Sequence, residues 1–236
     1  MLPLDKQNTL REAYARRNAG WQPATEQFAG MVRQHDAGGA RLLDLGCGRG
    51  GLAEQLERPL KSIIGIDPDH RSLVEHRLPA LPRAVGSSAR LPLASSTIDV
   101  VYAAWVLEHL EAPAADFAEV ARVLRPGGAF VFITPHKRHP LIGLNQLLGR
   151  LGALQQWLVR QLYRRASVDT FPAYYRANTA QALEQLGVGC GLVLQAVRQV
   201  RDPSYWGIAR PVYPLLQRLD AFMPPVHLVG TLKKPL

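Results

Sequence analysis

The sequence predicts an α/β fold, a parallel sheet covered by helices on both faces. Three observations point to it. Short apolar runs recur at residues 41–45, 62–66, 99–105 and 129–134, polar helix-patterned segments separate them, and a glycine-rich turn follows the first run.

Along the chain, residues 8–36 are polar with helical patterning, and Trp21, Phe28 and Met31 offer apolar anchors. Residues 41–45 (RLLDL) read as a buried strand ending on Gly46-Cys47-Gly48-Arg49-Gly50-Gly51. A helix is expected over 51–57, a second strand over 62–66 (SIIGI) ending in Asp67-Pro68-Asp69, a polar helix over 71–77 and a short third strand at 84–86. Residues 99–105 (DVVYAAW), β-branched and aromatic, form the fourth strand. Pro113 opens a helix that runs to 124, and Arg125-Pro126-Gly127-Gly128 closes it, since proline and two glycines cannot continue it. The fifth strand is 129–134 (AFVFIT).

The rhythm then changes. Residues 136–170 are basic and largely helical, with Leu144, Leu147, Leu148, Leu151, Leu154, Trp157 and Leu158 at helical spacing. A helix begins at Thr179 and ends near Gly187, and late strands at 192–200 and 226–232 flank a helix-like segment at 205–223. No internal repeat or low-complexity linker interrupts the chain.

Composition narrows the class. With 236 residues, 47% apolar and 20% charged, the chain is an ordinary globular one. Its net charge of +9 rests mostly on arginine, with only five lysines, and suits nucleic acid, an anionic membrane surface or acidic substrates. Cys47 and Cys190 have no metal-ligand spacing, so neither a disulfide framework nor a metal site is expected. The opening MLPLDKQNTLREAYARR lacks a signal-peptide core, and no run of about 18 apolar residues predicts a spanning helix, so a cytoplasmic protein is expected.

The glycine turn fits two spacings: G-x-G-x-x-G through Gly46, Gly48 and Gly51, and G-x-G-x-G through Gly46, Gly48 and Gly50. Either lets the backbone approach a nucleotide closely. Asp44 leans the choice. A carboxylate just before the turn repels a pyrophosphate but favours a phosphate-free nucleoside carrying an ammonium and a sulfonium. Asp67, about 20 residues on, has the spacing of a carboxylate that binds ribose hydroxyls, and serves NAD or S-adenosylmethionine equally.

The segments LLDLGCGRGGLAEQL, IIGIDPDH, GSSARLPLASSTIDVVYAAWVLEHL and RVLRPGGAFVFITPH, in this order, resemble the successive motifs of class I S-adenosylmethionine-dependent methyltransferases, in particular the methyltransferase type 11 group. The resemblance covers roughly residues 10–135. It implies a Rossmann-like, doubly wound, seven-stranded and mostly parallel sheet with an antiparallel last strand, to which 136–178 adds a helical cap. The whole, 1–236, is then one methyltransferase domain: N-terminal helices at 1–38, a cofactor-binding core at 39–135, the cap at 136–178 and C-terminal helix and strand elements at 179–236. The resemblance places Asp44, Gly46, Gly48 and Gly50 at the methionine end of S-adenosylmethionine, with Cys47 packed inside the turn. It places Asp67 on the ribose and Pro68 beside the adenine. Ser87 stands where the family usually has an acid for the adenine amino group, and the Ser88 N–H faces the ring. Ala103 and Ala104 line the wall near the methyl group, and Tyr14 closes over the cofactor. His109 is expected to be structural.

Several acceptors are disfavoured. The fourth strand is followed by no [DNS]-P-P-[YFW] loop for amino groups on bases, no cysteine is placed for pyrimidine C5 attack, and no zinc cluster is available for thiols. For an oxygen acceptor the expected bases are His136 and His139, beyond the fifth strand, where a parallel sheet meets substrate. Trp105, Tyr174, Tyr175 and Arg176 are the expected substrate contacts, the arginine suited to a carboxylate or phosphate. The apolar stripes of the cap and of 205–223, flanked in the cap by Arg150, Arg160, Arg164 and Arg165, suit a lipid- or glycan-linked acceptor and peripheral membrane contact. The alternatives left open are an RNA substrate, disfavoured by the dispersal of the basic residues, and a NAD-dependent oxidoreductase.

Overall fold

Strands, the middle ones apolar on both faces and the edge ones largely exposed, form the centre of the computed structural model, which describes residues 2–36, 38–56, 59–149, 171–208 and 212–236. They are β1 (Leu42–Leu45), β2 (Ile63–Asp67), β3 (Arg83–Val85), β4 (Ile98–Ala104), β5 (Leu124–Pro135), β6 (Val193–Val200) and β7 (His227–Lys233). They join in one seven-stranded sheet of order β3-β2-β1-β4-β5-β7-β6. β1 to β5 pair in parallel, whereas β7 lies antiparallel between β5 and β6, as the resemblance implies. The chain winds outward from β1 through β2 to β3, then returns to build the other half from β4. A ligand crevice opens at such a reversal, above the C-terminal ends of β1 and β4.

The helices are α1 (Leu4–Arg17), α2 (Ala24–His35), α3 (His70–Val74), α4 (Pro113–Val123), α5 (Pro140–Gly149), α6 (Ala180–Gly189) and α7 (Tyr213–Asp220). The patterning at 8–36 is cut in two, because Gly20 turns the chain at φ +80° and Pro23 restarts it. α2 buries Phe28, Met31 and Val32 against Leu42, Tyr102, Val131 and Val229 on one sheet face. α4 and α6 cover the other, where Phe117, Val120 and Leu183 meet Leu43, Val101 and Phe130. The Thr179 hydroxyl caps α6 by accepting from Ala182 N at 3.1 Å.

Three expectations are corrected. Residues 51–57 contain a 3-10 turn at Leu52–Gln55 in place of an α-helix, since Gly51 before it and Pro59 after it leave room for two turns at most. α3 stops at Val74, short of 77. β5 begins at Leu124, before the closing Arg125-Pro126-Gly127-Gly128, which bulges out so that the register jumps from Ile98–Leu124 to Val100–Ala129. Leu151, Leu154, Trp157 and Leu158 of the cap stripe, with Arg150, Arg160, Arg164 and Arg165, lie outside the described residues. No helix among the described residues is long and apolar enough to cross a membrane.

Candidate active site

The glycine turn joins the ends of β1 and β2. Gly46 N and Cys47 N both donate to Ile66 O, at 2.7 and 3.3 Å, and Gly48 N donates to Asp67 Oδ2 at 2.9 Å. The turn needs positive φ at Gly46 (+74°), Gly48 (+49°) and Gly50 (+115°). A side chain at Gly46 would strike Val106, and one at Gly50 would strike Glu54. Gly51 differs: its φ of 178° lies outside the left-handed region and open space surrounds it, although its ψ of −115° is not that of an extended strand. The backbone therefore uses the G-x-G-x-G spacing. The Cys47 side chain is buried against Gly65 of β2, and burial with Asp44 and Asp67 nearby pushes its thiol up to about 12, which suits packing and not nucleophilic attack.

Asp44 is 5% exposed at the end of β1. Burial, assisted by the negative charge of Asp67, pushes its carboxyl up to about 7, although the Tyr102 hydroxyl across the β1–β4 ladder pulls the other way. No cation is among the groups that shift it. A ligand carrying an ammonium and a sulfonium fits this acid, and a pyrophosphate does not. Asp67 Oδ1 accepts from Asp69 N at 2.8 Å, which sets the β2 end, and Asp69 caps α3. Pro68 between them is exposed.

The other expected cofactor residues divide. Ala103 is fully buried in the core with Leu45 and Val101, so only its backbone faces the crevice, whereas Ala104 on the opposite side is half-buried. The Ser87 hydroxyl accepts from Ala89 N at 3.2 Å, and the Ser88 hydroxyl donates to Asp116 Oδ1 at 2.5 Å. Asp116, buried at the start of α4, is a partner the sequence reading missed. Tyr14 on α1 packs edge-on to Trp21, and α1 is fixed by the Arg11–Asp202 ion pair at 2.6 Å.

Across the crevice, residues 171–178 strap over the loop after β4. Tyr174 N and Tyr175 N donate to Glu108 O at 2.7 and 3.1 Å, and His109 Nδ1 meets Pro172 O at 2.7 Å. Arg176 is committed to Glu111 O and lies over the Tyr174 ring at 5.4 Å. Trp105 and Tyr175 hold φ of +61° and +51°, conformations that cost non-glycine residues about 1–3 kcal/mol and concentrate at functional sites.

Beside them lies a polar cluster that the sequence reading only partly foresaw. His136 Nδ1 meets Pro225 O at 3.1 Å, and burial lowers the imidazole below its ordinary value. His139, 1% exposed, takes Leu141 N on Nδ1 at 3.3 Å and points Nε2 at Asp220 Oδ1, 3.7 Å away. Glu108, Tyr205 and His227 were missed. Burial pushes the Glu108 carboxyl up to about 7 against the pull of its own N–H and of Thr134, which donates at 3.1 Å. His227, at the start of β7, meets the Tyr205 hydroxyl through Nε2 at 3.0 Å and lies edge-on to Trp105. Burial drives it down to about 4. Among the described residues, the Nε2 of His139, Nδ1 of His227 and Oδ1 of Asn178 are buried without hydrogen-bond partners. Such a concentration of unsatisfied atoms at one sheet edge calls for a polar ligand. Among the described residues no group of three or more His, Cys, Asp or Glu could hold a metal.

A glycine turn between two carboxylates on this sheet defines a nucleoside-binding α/β enzyme of the sulfonium type. The comparisons agree. The methyltransferase domain family matches residues 43–132. An uncharacterized methyltransferase of Mycobacterium sp. is 32% identical over 202 residues, covering 81% of this chain and 75% of that one. A ubiquinone biosynthesis O-methyltransferase of Bradyrhizobium diazoefficiens is 29% identical over 197 residues, covering 80% and 75%. The crystal structure of an S-adenosylmethionine-dependent methyltransferase from Mesorhizobium loti aligns with a TM-score of 0.58 at 19% identity, over 90% of this chain and 98% of that one. The chain belongs to the class I S-adenosylmethionine-dependent methyltransferases.

Two outcomes test this geometry. Gly50→Ala lowers stability by about 1–3 kcal/mol, which thermal unfolding of the variant checks. Because Asp44 is held partly protonated below pH 7, a cationic ligand must displace that proton. Affinity for S-adenosylmethionine therefore rises as pH goes from 5 to about 7, with proton release in calorimetry that Asp44→Asn abolishes.

Proposed function

We propose that the protein transfers a methyl group to an oxygen of a small or lipid- or glycan-linked acceptor held beside Trp105, in the cluster of buried polar groups at the ends of β4 and β5. That cluster, with its unsatisfied nitrogens, is the observation that carries the reading. The match to a ubiquinone biosynthesis O-methyltransferase supports oxygen over nitrogen or carbon. S-adenosylmethionine, when bound, supplies an electrophilic methyl on a sulfonium. Asp44 would meet its positive end, and Asp67, set by Gly48 and Asp69, would bind the ribose hydroxyls.

His136 is the base this geometry favours. The Pro225 carbonyl can only accept, so Nδ1 carries the proton and Nε2 keeps its lone pair. Burial keeps the ring neutral at physiological pH. His139 is a poorer base: Leu141 N occupies its Nδ1, so its Nε2 proton faces Asp220 and the ring orients its neighbours. Tyr174, Tyr175 and Trp105 form the wall over the acceptor, and Arg176, turned to Glu111 O, holds the strap. The basic residues are dispersed among the described residues and give an RNA substrate no comparable site there, and the buried Asp44 beside the turn disfavours the pyrophosphate of a dinucleotide.

Incubation of cell extract with enzyme and deuteromethyl-labelled cofactor identifies the acceptor by its mass shift, and a label on nitrogen or carbon overturns oxygen transfer. His136→Ala lowers kcat by about 100-fold or more with unchanged cofactor affinity, and the wild-type acid limb falls below the ordinary imidazole range. Asp67→Ala shows the reverse split, losing affinity. Unchanged kcat in His136→Ala removes it as the base.

A further inference from the structure

The helix α7 carries its apolar residues on the wrong side for packing. Val212, Leu215, Leu219 and Phe222 fall at i, i+3, i+7 and i+10 and are 46%, 56%, 42% and 90% exposed. They share one face. The opposite face, through Tyr213, Gln217 and Asp220, is the one turned to the protein. Gln217 donates to the Tyr213 hydroxyl at 2.6 Å, and Trp206 Nε1 donates to Asp220 Oδ1 at 2.9 Å. Arg201 pins the end of the helix, donating to Asp220 O, to Ala221 O at 3.1 Å and to Met223 O at 2.8 Å. The helix is therefore fixed with its greasy side out.

The exposed charge on α7 itself is positive. Arg218 is exposed on α7 itself, and Arg16 and Arg17 are exposed at the end of α1, with Arg17 close enough to act on Tyr213. The one acid of α7, Asp220, points inward to Arg201 and Trp206. An exposed apolar stripe with Arg218 on the same helix, on a chain of net charge +9, matches the interface of an anionic bilayer: the apolar side chains enter the acyl boundary and the guanidinium group meets phosphate. A second copy of the chain would bring the same positive charge against itself.

We propose that α7 is a membrane-docking helix that seats the enzyme on an anionic lipid surface through Val212, Leu215, Leu219 and Phe222. The docking stands on the surface alone. Its consequence for substrate rests on the methyl-transfer reading above. Asp220 of α7 accepts from Trp206 of the 3-10 turn Pro203–Ile208, whose Tyr205 and Trp206 pack against His139 and His227, so docking brings the acceptor cluster towards the bilayer. A membrane-held acceptor, its lipid tail remaining in the bilayer, then reaches the site without leaving the membrane.

Sedimentation of the full chain with vesicles tests this. Binding is expected with vesicles of phosphatidylcholine and phosphatidylglycerol in equal parts, and only weakly with phosphatidylcholine alone or in high salt. The triple variant Leu215→Ser, Leu219→Ser, Phe222→Ser is expected to lose binding by on the order of tenfold or more. Arg218→Glu should weaken binding to the charged vesicles alone. Near-ultraviolet circular dichroism and S-adenosylmethionine affinity of the triple variant, both unchanged, show that fold and cofactor site survive. Equal vesicle binding by wild type and triple variant overturns the proposal, as does a wild-type dimer in light scattering that the triple variant abolishes. A wild type that binds vesicles but no S-adenosylmethionine leaves docking intact and removes the methyl-transfer reading.

Discussion

The donation of Gly46 N and Cys47 N to Ile66 O, with Gly48 N held by Asp67, is the constraint from which the site follows. Parallel neighbours cannot be joined by a hairpin, so the end of β1 has to be fastened to the end of β2 by the turn's own amides. Doing so forces left-handed backbone at Gly46, Gly48 and Gly50, and leaves no room for a side chain at Gly46. It also aims Asp67 back over the turn and buries Cys47 against Gly65. The acid of β1 is then stranded beside the crevice with no cation to meet it. Fold and ligand preference come from the same few hydrogen bonds.

That half of the molecule was legible because its signals are local. A strand, three glycines at alternate positions and a carboxylate at the end of the next strand lie within one βαβ unit, and spacing alone carries the geometry. The limits were also local: a helix read into 51–57 has too little chain between Gly51 and Pro59 to form. Ala103 and Ala104 were read together, although neighbouring strand residues face opposite sides of the sheet.

The acceptor side was poorly legible for the opposite reason. His227, Tyr205 and Glu108 come from three distant segments, and only the insertion of β7 between β5 and β6 brings them together. His227 stands in an apolar strand pattern where sequence offers no reason to single it out. His136 was found because it directly follows a strand end. One signal was available and overlooked: Glu108, an acid in the apolar run VLEHL, had either to be exposed or to be buried with a purpose.

The two halves share a physical problem. Among the described residues no cation acts on buried Asp44 or Glu108, and both are pushed up to about 7, so near neutrality a proton stands in for the missing partner. A protein selected for stability alone would replace such groups with apolar ones of similar size. Trp105 and Tyr175, in strained backbone between those acids and the histidine cluster, add a second cost at the same place. Buried acids, unsatisfied nitrogens and the strained backbone of Trp105 meet around the C-terminal ends of β1, β4 and β5, while the faces covered by α2, α4 and α6 are built of well-packed apolar side chains. The rigid faces hold the costly edge in place, and ligands with the complementary charge and hydrogen-bonding groups recover part of that cost on binding.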